Sequence, residues 1–180
     1  LGFEIVATMT ASTADGSMPA AAIASAAASA AKSIAVVSAF ARVADVRAQS
    51  TPVLDTAVES DIWLIGLGAG KKRMGGSILA QVQGAFGGEC PDLDDPRLLA
   101  GLAGLIIKAR EQGLVLAYHD RSDGGAFAAL CEMAFAGHCG LDIKLDQWGD
   151  HDLACLFNEE LGALVQVPRE DRAAFADLIH

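Results

Sequence analysis

Positive charge is scarce in this sequence: 13 Lys and Arg stand against 23 Asp and Glu, a net charge of −10 over 180 residues. Nucleic acids and anionic membranes both demand a basic surface, so neither is expected as a partner. A small phosphorylated ligand is not excluded, because it needs only a local positive site. Long apolar runs are missing as well. No stretch of ~18 residues is apolar enough to read as a membrane span; the nearest candidate, Met18 to Ala31, is mostly Ala and Ser. The start shows no basic region followed by a Leu-rich core, so no signal peptide is read. The cysteines, Cys90, Cys131, Cys139 and Cys155, have no CxxC spacing. A reduced, cytoplasmic protein without structural zinc is expected. There is no Gly-x-Ser-x-Gly elbow, no Walker loop and no Rossmann fingerprint. His138 and Cys139 lack any partner CxxC or HxxxH that would make them a metal pair.

What is present is apolar: at 52% hydrophobic the chain can bury a real core. Residues 1–32 are poor in charge and rich in Ala and Ser toward their end. They read as a segment of uncertain structure outside the main fold, with little apolar area to bury. Their deletion is expected to change the thermal midpoint little. From Ser33 the texture is that of an α/β domain. Strands are expected at 34–40, 61–67, 114–118, 141–145 and 163–167. Helices are expected at 77–86, 98–109, 124–136, near 150–157, and after Pro168. The 61–67 strand reads as buried on both faces. The chain is expected to stop inside its last helix, truncated. On the 124–136 helix, Phe127, Leu130, Cys131, Ala134 and Phe135 read as the apolar face, with Cys131 a buried thiol.

Three segments carry chemistry. Tyr118-His119-Asp120-Arg121-Ser122-Asp123-Gly124-Gly125 places carboxylates, a hydroxyl and two glycines at a strand-to-helix turn. In an open α/β sheet, ligands bind beyond the carboxyl ends of strands. A helix start suits phosphate, and Asp oxygens suit Mg²⁺. Equally, Ser122 or Asp123 could be an N-cap, and Gly-Gly could relieve a tight turn. The segment from Gly66 to Ser77 sets Lys71, Lys72 and Arg73 beside Gly75-Gly76, either a phosphate contact or a mobile loop with solvated cations. In Phe157-Asn158-Glu159-Glu160-Leu161-Gly162, a Glu could ligate metal or contact a substrate hydroxyl, or the run could be a polar turn ending a helix. His138 sits where a helix ends, suited to complement its dipole.

The runs Ala117 to Gly125, Cys131 to Gly140 and Phe157 to Ala163 closely resemble large, single-chain phosphoribosylformylglycinamidine synthase. Val37 to Val43 and Gly75 to Val82 look like it too, in the same order. Ser-Asp-Gly-Gly alone would indicate only the wider superfamily, which includes aminoimidazole ribonucleotide synthetase, selenophosphate synthetase and thiamine-phosphate kinase. The resemblance implies a purine-biosynthetic ligase that converts formylglycinamide ribonucleotide to the amidine with ATP, Mg²⁺ and ammonia from glutamine. It implies an α/β (α+β) fold like the C-terminal domain of aminoimidazole ribonucleotide synthetase, a mixed sheet with packed helices. Residues 51–180 would be the second such C-terminal unit, and 33–50 the last strand of an N-terminal-type unit with its linker. Residues 1–32 do not show the family's Gly-Lys-Asp-Ser type motif. In that half of the large enzymes Mg²⁺ and a nucleotide (ATP or ADP) occupy an auxiliary, structural site. Carried over by motif, Asp120 looks like a Mg²⁺ ligand and Ser122 like a nucleotide contact. The implied partners are the nucleotide, the phosphoribosyl substrate, the other synthetase half and a glutaminase, the last two absent from this chain. Another ATP-using superfamily enzyme, of selenophosphate synthetase or thiamine-phosphate kinase type, and a non-catalytic structural module are the alternative readings.

Overall fold

The computed structural model describes residues 4–12, 45–47, 49–85, 87–145, 148 and 151–179. The chain divides into a larger unit, Leu1–Asp15 with Ser50–His180, and a smaller one, Gly16–Gln49. In the smaller unit Arg47 pairs with Asp45 across a turn at 2.7 Å. The strand expected at 34–40 lies outside the described residues.

The larger unit is built on a five-stranded sheet. In chain order its strands are β1 (Glu4–Ser12), β2 (Ser60–Gly66), β3 (Ala117–Asp120), β4 (Gly140–Asp142) and β5 (Gly162–Pro168). Their spatial order is β3-β5-β2-β1-β4. The α/β fold is as expected. The sheet is not mixed, however, because all four described pairings are antiparallel.

Side-chain alternation along β2 builds a core on each face of the sheet. Ile62 and Leu64 point one way, with Leu164 of β5, and pack on Ala126, Ala129, Leu130 and Met133 of α3 (Gly125–Gly137). Trp63 and Ile65 point the other way, with Ala163, Val165 and Val167. They meet α2 (Pro96–Glu111) through Leu102, Leu105 and Ala109, and α5 (Arg172–Ile179) through Phe175 and Ile179. Trp63 and Phe175 meet edge to face, ring centroids 5.2 Å apart. Every residue of β2 is buried, as its composition predicts. The described residues also form two short helices, α1 (Ile78–Val82) and α4 (Asp152–Phe157), and a 3-10 turn at Arg169–Asp171.

Local chemistry sets the element ends. Asp95 caps α2 by accepting the Arg97 N–H at 2.9 Å, and Pro96 occupies the first turn, where its missing N–H costs nothing. The buried carboxylate of Asp61, at the start of β2, accepts from Arg172 Nε at 2.9 Å and so pins the start of α5.

Two expectations are corrected here. Glu4–Ser12 is a strand of the sheet, paired to β2 on one side and β4 on the other. The bulk Ala/Ser content of residues 1–32 conceals it, while Ile5, Val6, Thr8 and Thr10 are β-branched residues that favour a strand. On α3 the expected apolar face is also the wrong one. Of Phe127, Leu130, Cys131, Ala134 and Phe135 only Leu130 is buried, and Phe127 and Phe135 are 46% and 70% exposed. This helix is apolar nearly all round, so periodicity cannot choose a face. The small side chains of Ala126 and Ala129 choose it, by letting the helix approach the sheet closely.

Candidate functional site

Antiparallel pairing decides which segments meet. The C-terminal end of β3 lies against the start of β5, with Asp120 opposite Ala163. The C-terminal end of β2 lies there too, with Gly66 opposite Gly162. The rule placing ligands at the carboxyl ends of parallel strands therefore does not describe this edge. It gathers the glycine-rich loop 66–77, the turn 120–125 and the segment 158–161, three motifs separated in sequence.

Segment 158–161 is the hub. Glu160 is 1% exposed and receives a fork of bonds from buried Arg73, Nε to Oε1 at 2.6 Å and Nη2 to Oε2 at 2.7 Å. The Arg73 backbone N–H adds a third, to Oε1 at 3.0 Å. The carboxylate keeps the guanidinium firmly protonated, its pKa raised above the ordinary arginine value. Glu159 uses one oxygen, Oε1, to accept from the N–H of Ile78 and the N–H of Gly124, each at 2.8 Å. It thus joins the start of α1 to the start of α3. Arg121 is buried and donates to the carbonyls of Glu160 (2.5 Å) and Leu161 (3.1 Å), while its own N–H reaches Gly162 O at 2.9 Å. Asn158 ends α4 by donating Nδ2 to Ala154 O at 2.6 Å. The polar-turn reading of this run holds for Asn158, and both glutamates are structural acceptors.

The three cations of loop 66–77 also have protein partners. Lys71 meets Asp94 at 3.2 Å, and Arg73 Nη2 reaches the same carboxylate at 3.0 Å. These contacts hold the Asp94 carboxyl below its ordinary value, Lys71 contributing most; burial opposes them, and Arg73 adds a smaller part. Lys72 donates to Trp148 O and, at 3.2 Å, to Cys155 Sγ. Ser77 is fully buried and caps α1 by accepting the Ala80 N–H at 3.2 Å.

Asp120 and Ser122 lie at the rim of this assembly. The Asp120 side chain is 68% exposed, 3.6 Å from His119 Nδ1. The His119 ring is held by Asp120 O at Nδ1 and by Glu132 Oε2 at Nε2, both at 2.7 Å. Ser122 and Asp123 are exposed, and neither caps α3: the N-cap is Gly124, in the left-handed region at φ 82° with no side-chain cap. Gly125 also has positive φ, 68°, and a Cβ there would stand 2.6 Å from both Leu156 O and Asn158 O. Gly-Gly therefore serves a tight turn and the close approach of the hub, as one reading of the motif expects. His138 is at the C-cap of α3, where a helix-end role places it. Among the described residues no cluster of three or more His, Cys, Asp or Glu is placed to hold a metal ion.

Sequence reasoning placed Asp120, Ser122 and the glycines at one turn, and the structure has them there. It read Arg73 as a phosphate contact or solvated cation and Glu159 or Glu160 as a ligand or turn residue, not as the buried brace they form, and it missed Ser77 and Arg121. Arg121 sits inside the motif it serves, but its partners are backbone carbonyls some 40 positions away, which no local spacing reveals.

The larger unit is thus a two-faced antiparallel sheet with a glycine turn at one edge, held by the buried Arg73–Glu160 pair and by Arg121 and Glu159. The model of the family "AIR synthase related protein, C-terminal domain" matches residues 60–180, and the chain belongs to that family. Its superfamily includes ATP-dependent enzymes. Among the described residues no helix is long and apolar enough to cross a membrane.

Proposed function

We propose that this chain is part of a phosphoribosylformylglycinamidine synthase and that the turn 120–125 contributes to an auxiliary Mg-nucleotide site, with Asp120 toward the metal and Ser122 toward the nucleotide. Family membership supports the superfamily, and the runs Phe157 to Ala163 and Cys131 to Gly140 support this member of it. The observation that carries the site is a division of labour. Arg121, Glu159 and the two glycines fix the backbone of the turn, while the Asp120 and Ser122 side chains stand exposed at its rim.

The donor set suits Mg²⁺ in one particular form. Mg²⁺ keeps several waters and is commonly bound through one or two carboxylates together with phosphate oxygens. A single exposed carboxylate fits an ion that arrives with phosphates, not a protein cage. Once bound, the ion would offset charge on the phosphate oxygens. The chain's own residues would orient: Arg121 and Glu159 hold the turn in register, and Ser122 offers one hydroxyl donor.

A nearby carboxylate and hydroxyl cannot complete amide activation and ammonia delivery. The isolated chain is therefore expected to form no amidine from formylglycinamide ribonucleotide, ATP and glutamine. In a complete enzyme, thermal melts with and without Mg-ADP test the site. Asp120→Asn should reduce the protection that Mg-ADP gives, because a ligand that binds only the folded state stabilises it by mass action. Equal protection of wild type and variant would reject the role of Asp120.

A further inference from the structure

Lys72 and Cys155 form a contact that the nucleotide reading does not use. Lys72 Nζ stands 3.2 Å from Cys155 Sγ, and the thiol donates to Trp148 O at 2.9 Å. That bond turns the S–H away and leaves sulfur lone pairs facing the amine. Cys155 is 2% exposed, yet it lines a cavity of about 30 Å³ shared with Lys72, Gly66, Gly68 and Arg121. One water needs roughly 10–15 Å³ on that scale, so a two-oxygen molecule such as hydrogen peroxide fits. The amine, the thiol and the space for an oxidant are thus side by side. Cys90, by contrast, is exposed.

We propose that Lys72 and Cys155 are the site of a reversible oxidative cross-link, a sulfenamide, formed with a peroxide. In the first step the Cys155 sulfur attacks one peroxide oxygen. An S–O bond forms, the O–O bond breaks, and water leaves, giving the sulfenic acid. In the second step Lys72, having lost one proton, attacks sulfur. The N–S bond forms, the S–O bond breaks, and the hydroxide leaves with the second amine proton as water. The sum is ammonium plus thiol plus hydrogen peroxide, giving sulfenamide, two waters and one proton. Sulfur is oxidised by two electrons and the peroxide is reduced by two. A thiol reductant reverses the link by attacking sulfur and releasing the amine. The bond would tie the loop 66–77 to α4, closing from a second side the loop that Arg73 already anchors to Glu160.

The test uses the full chain, reduced, freed of reductant and treated with hydrogen peroxide. Intact mass and proteolytic mapping are expected to show a species lighter by two hydrogens, with the peptides bearing Lys72 and Cys155 joined. Dithiothreitol should return it to the starting mass. Lys72→Arg keeps the positive charge but removes the attacking amine. It should lose the linked species at least tenfold and carry Cys155 on to sulfinic acid. Cys155→Ser should also lose it, with circular dichroism confirming that each variant is folded. Stepwise oxygen addition at Cys155 in the wild type without a joined peptide would overturn the proposal, as would a link that survives in either variant.

Discussion

Arg73 and Glu160 lock together through two parallel N–H···O bonds of 2.6 and 2.7 Å, with the arginine side chain 6% and the glutamate 1% exposed. The pair joins the loop after β2 to the segment before β5, 87 positions apart. Each charge is out of water, so each depends on the other.

Breaking the fork should therefore be more damaging than losing a surface ion pair. Glu160→Gln removes the buried partner of the guanidinium and leaves it only the partly exposed Asp94 carboxylate, so the thermal midpoint is expected to fall by several degrees. Arg73→Lys should do nearly as much, because an ammonium cannot reproduce two parallel bonds. Thermal melts followed by circular dichroism measure both, and an unchanged midpoint for Arg73→Lys would show that charge alone suffices.

Gly125→Ala is expected to destabilise by about 1–3 kcal/mol through left-handed strain alone, and further through contact with two carbonyls 2.6 Å from the new Cβ. Urea unfolding measures it. A change below ~0.5 kcal/mol would show that the turn relaxes.

Removing residues 1–12 should destabilise the larger unit clearly. β1 lies between β2 and β4, so its loss strips ladder bonds from both neighbours. The midpoint of the shortened chain, compared with the full one, decides between this and the opposite expectation that composition alone suggests.

Acid should weaken the brace at Asp94. Lys71, and secondarily Arg73, hold its carboxyl below the ordinary 3.8. A folded-state value below the unfolded one adds stability that is complete above about 3.8 and lost as pH falls through the folded value. Asp94→Asn should lower stability at neutral pH and flatten the acid limb of the stability profile. Parallel acid limbs for variant and wild type would remove Asp94 from this account.

Ser122→Ala should leave the fold intact, because Gly124 and not Ser122 is the N-cap of α3. In a complete enzyme it should weaken Mg-ADP protection by the worth of one hydrogen bond, about 0.5–1.5 kcal/mol. Loss of stability without nucleotide, with protection unchanged, would assign Ser122 to the turn instead.

The elements of this fold were largely legible in the sequence where period and composition agree. The buried run of β2, the amphipathic α2 and the strand–turn–helix order around Asp120 could be read directly, although α2 begins at Pro96, before the expected 98, and the strand lies at Ala117–Asp120 and not 114–118. So could the pairing of glycines with a sharp turn, because only glycine combines positive φ with close backbone approach. Three things were decided by tertiary structure. The burying face of α3 depended on what it packs against, since an apolar helix carries no preferred side. The place of Glu4–Ser12 depended on the open edges of β2 and β4, which local composition does not contain. The duties of Arg73, Arg121, Glu159 and Glu160 depended on antiparallel pairing, which brings the ends of β2 and β3 to the start of β5. A charged side chain in a sequence is equally fit for solvent, ligand or partner, and only the groups the fold sets within 3 Å of it select among them.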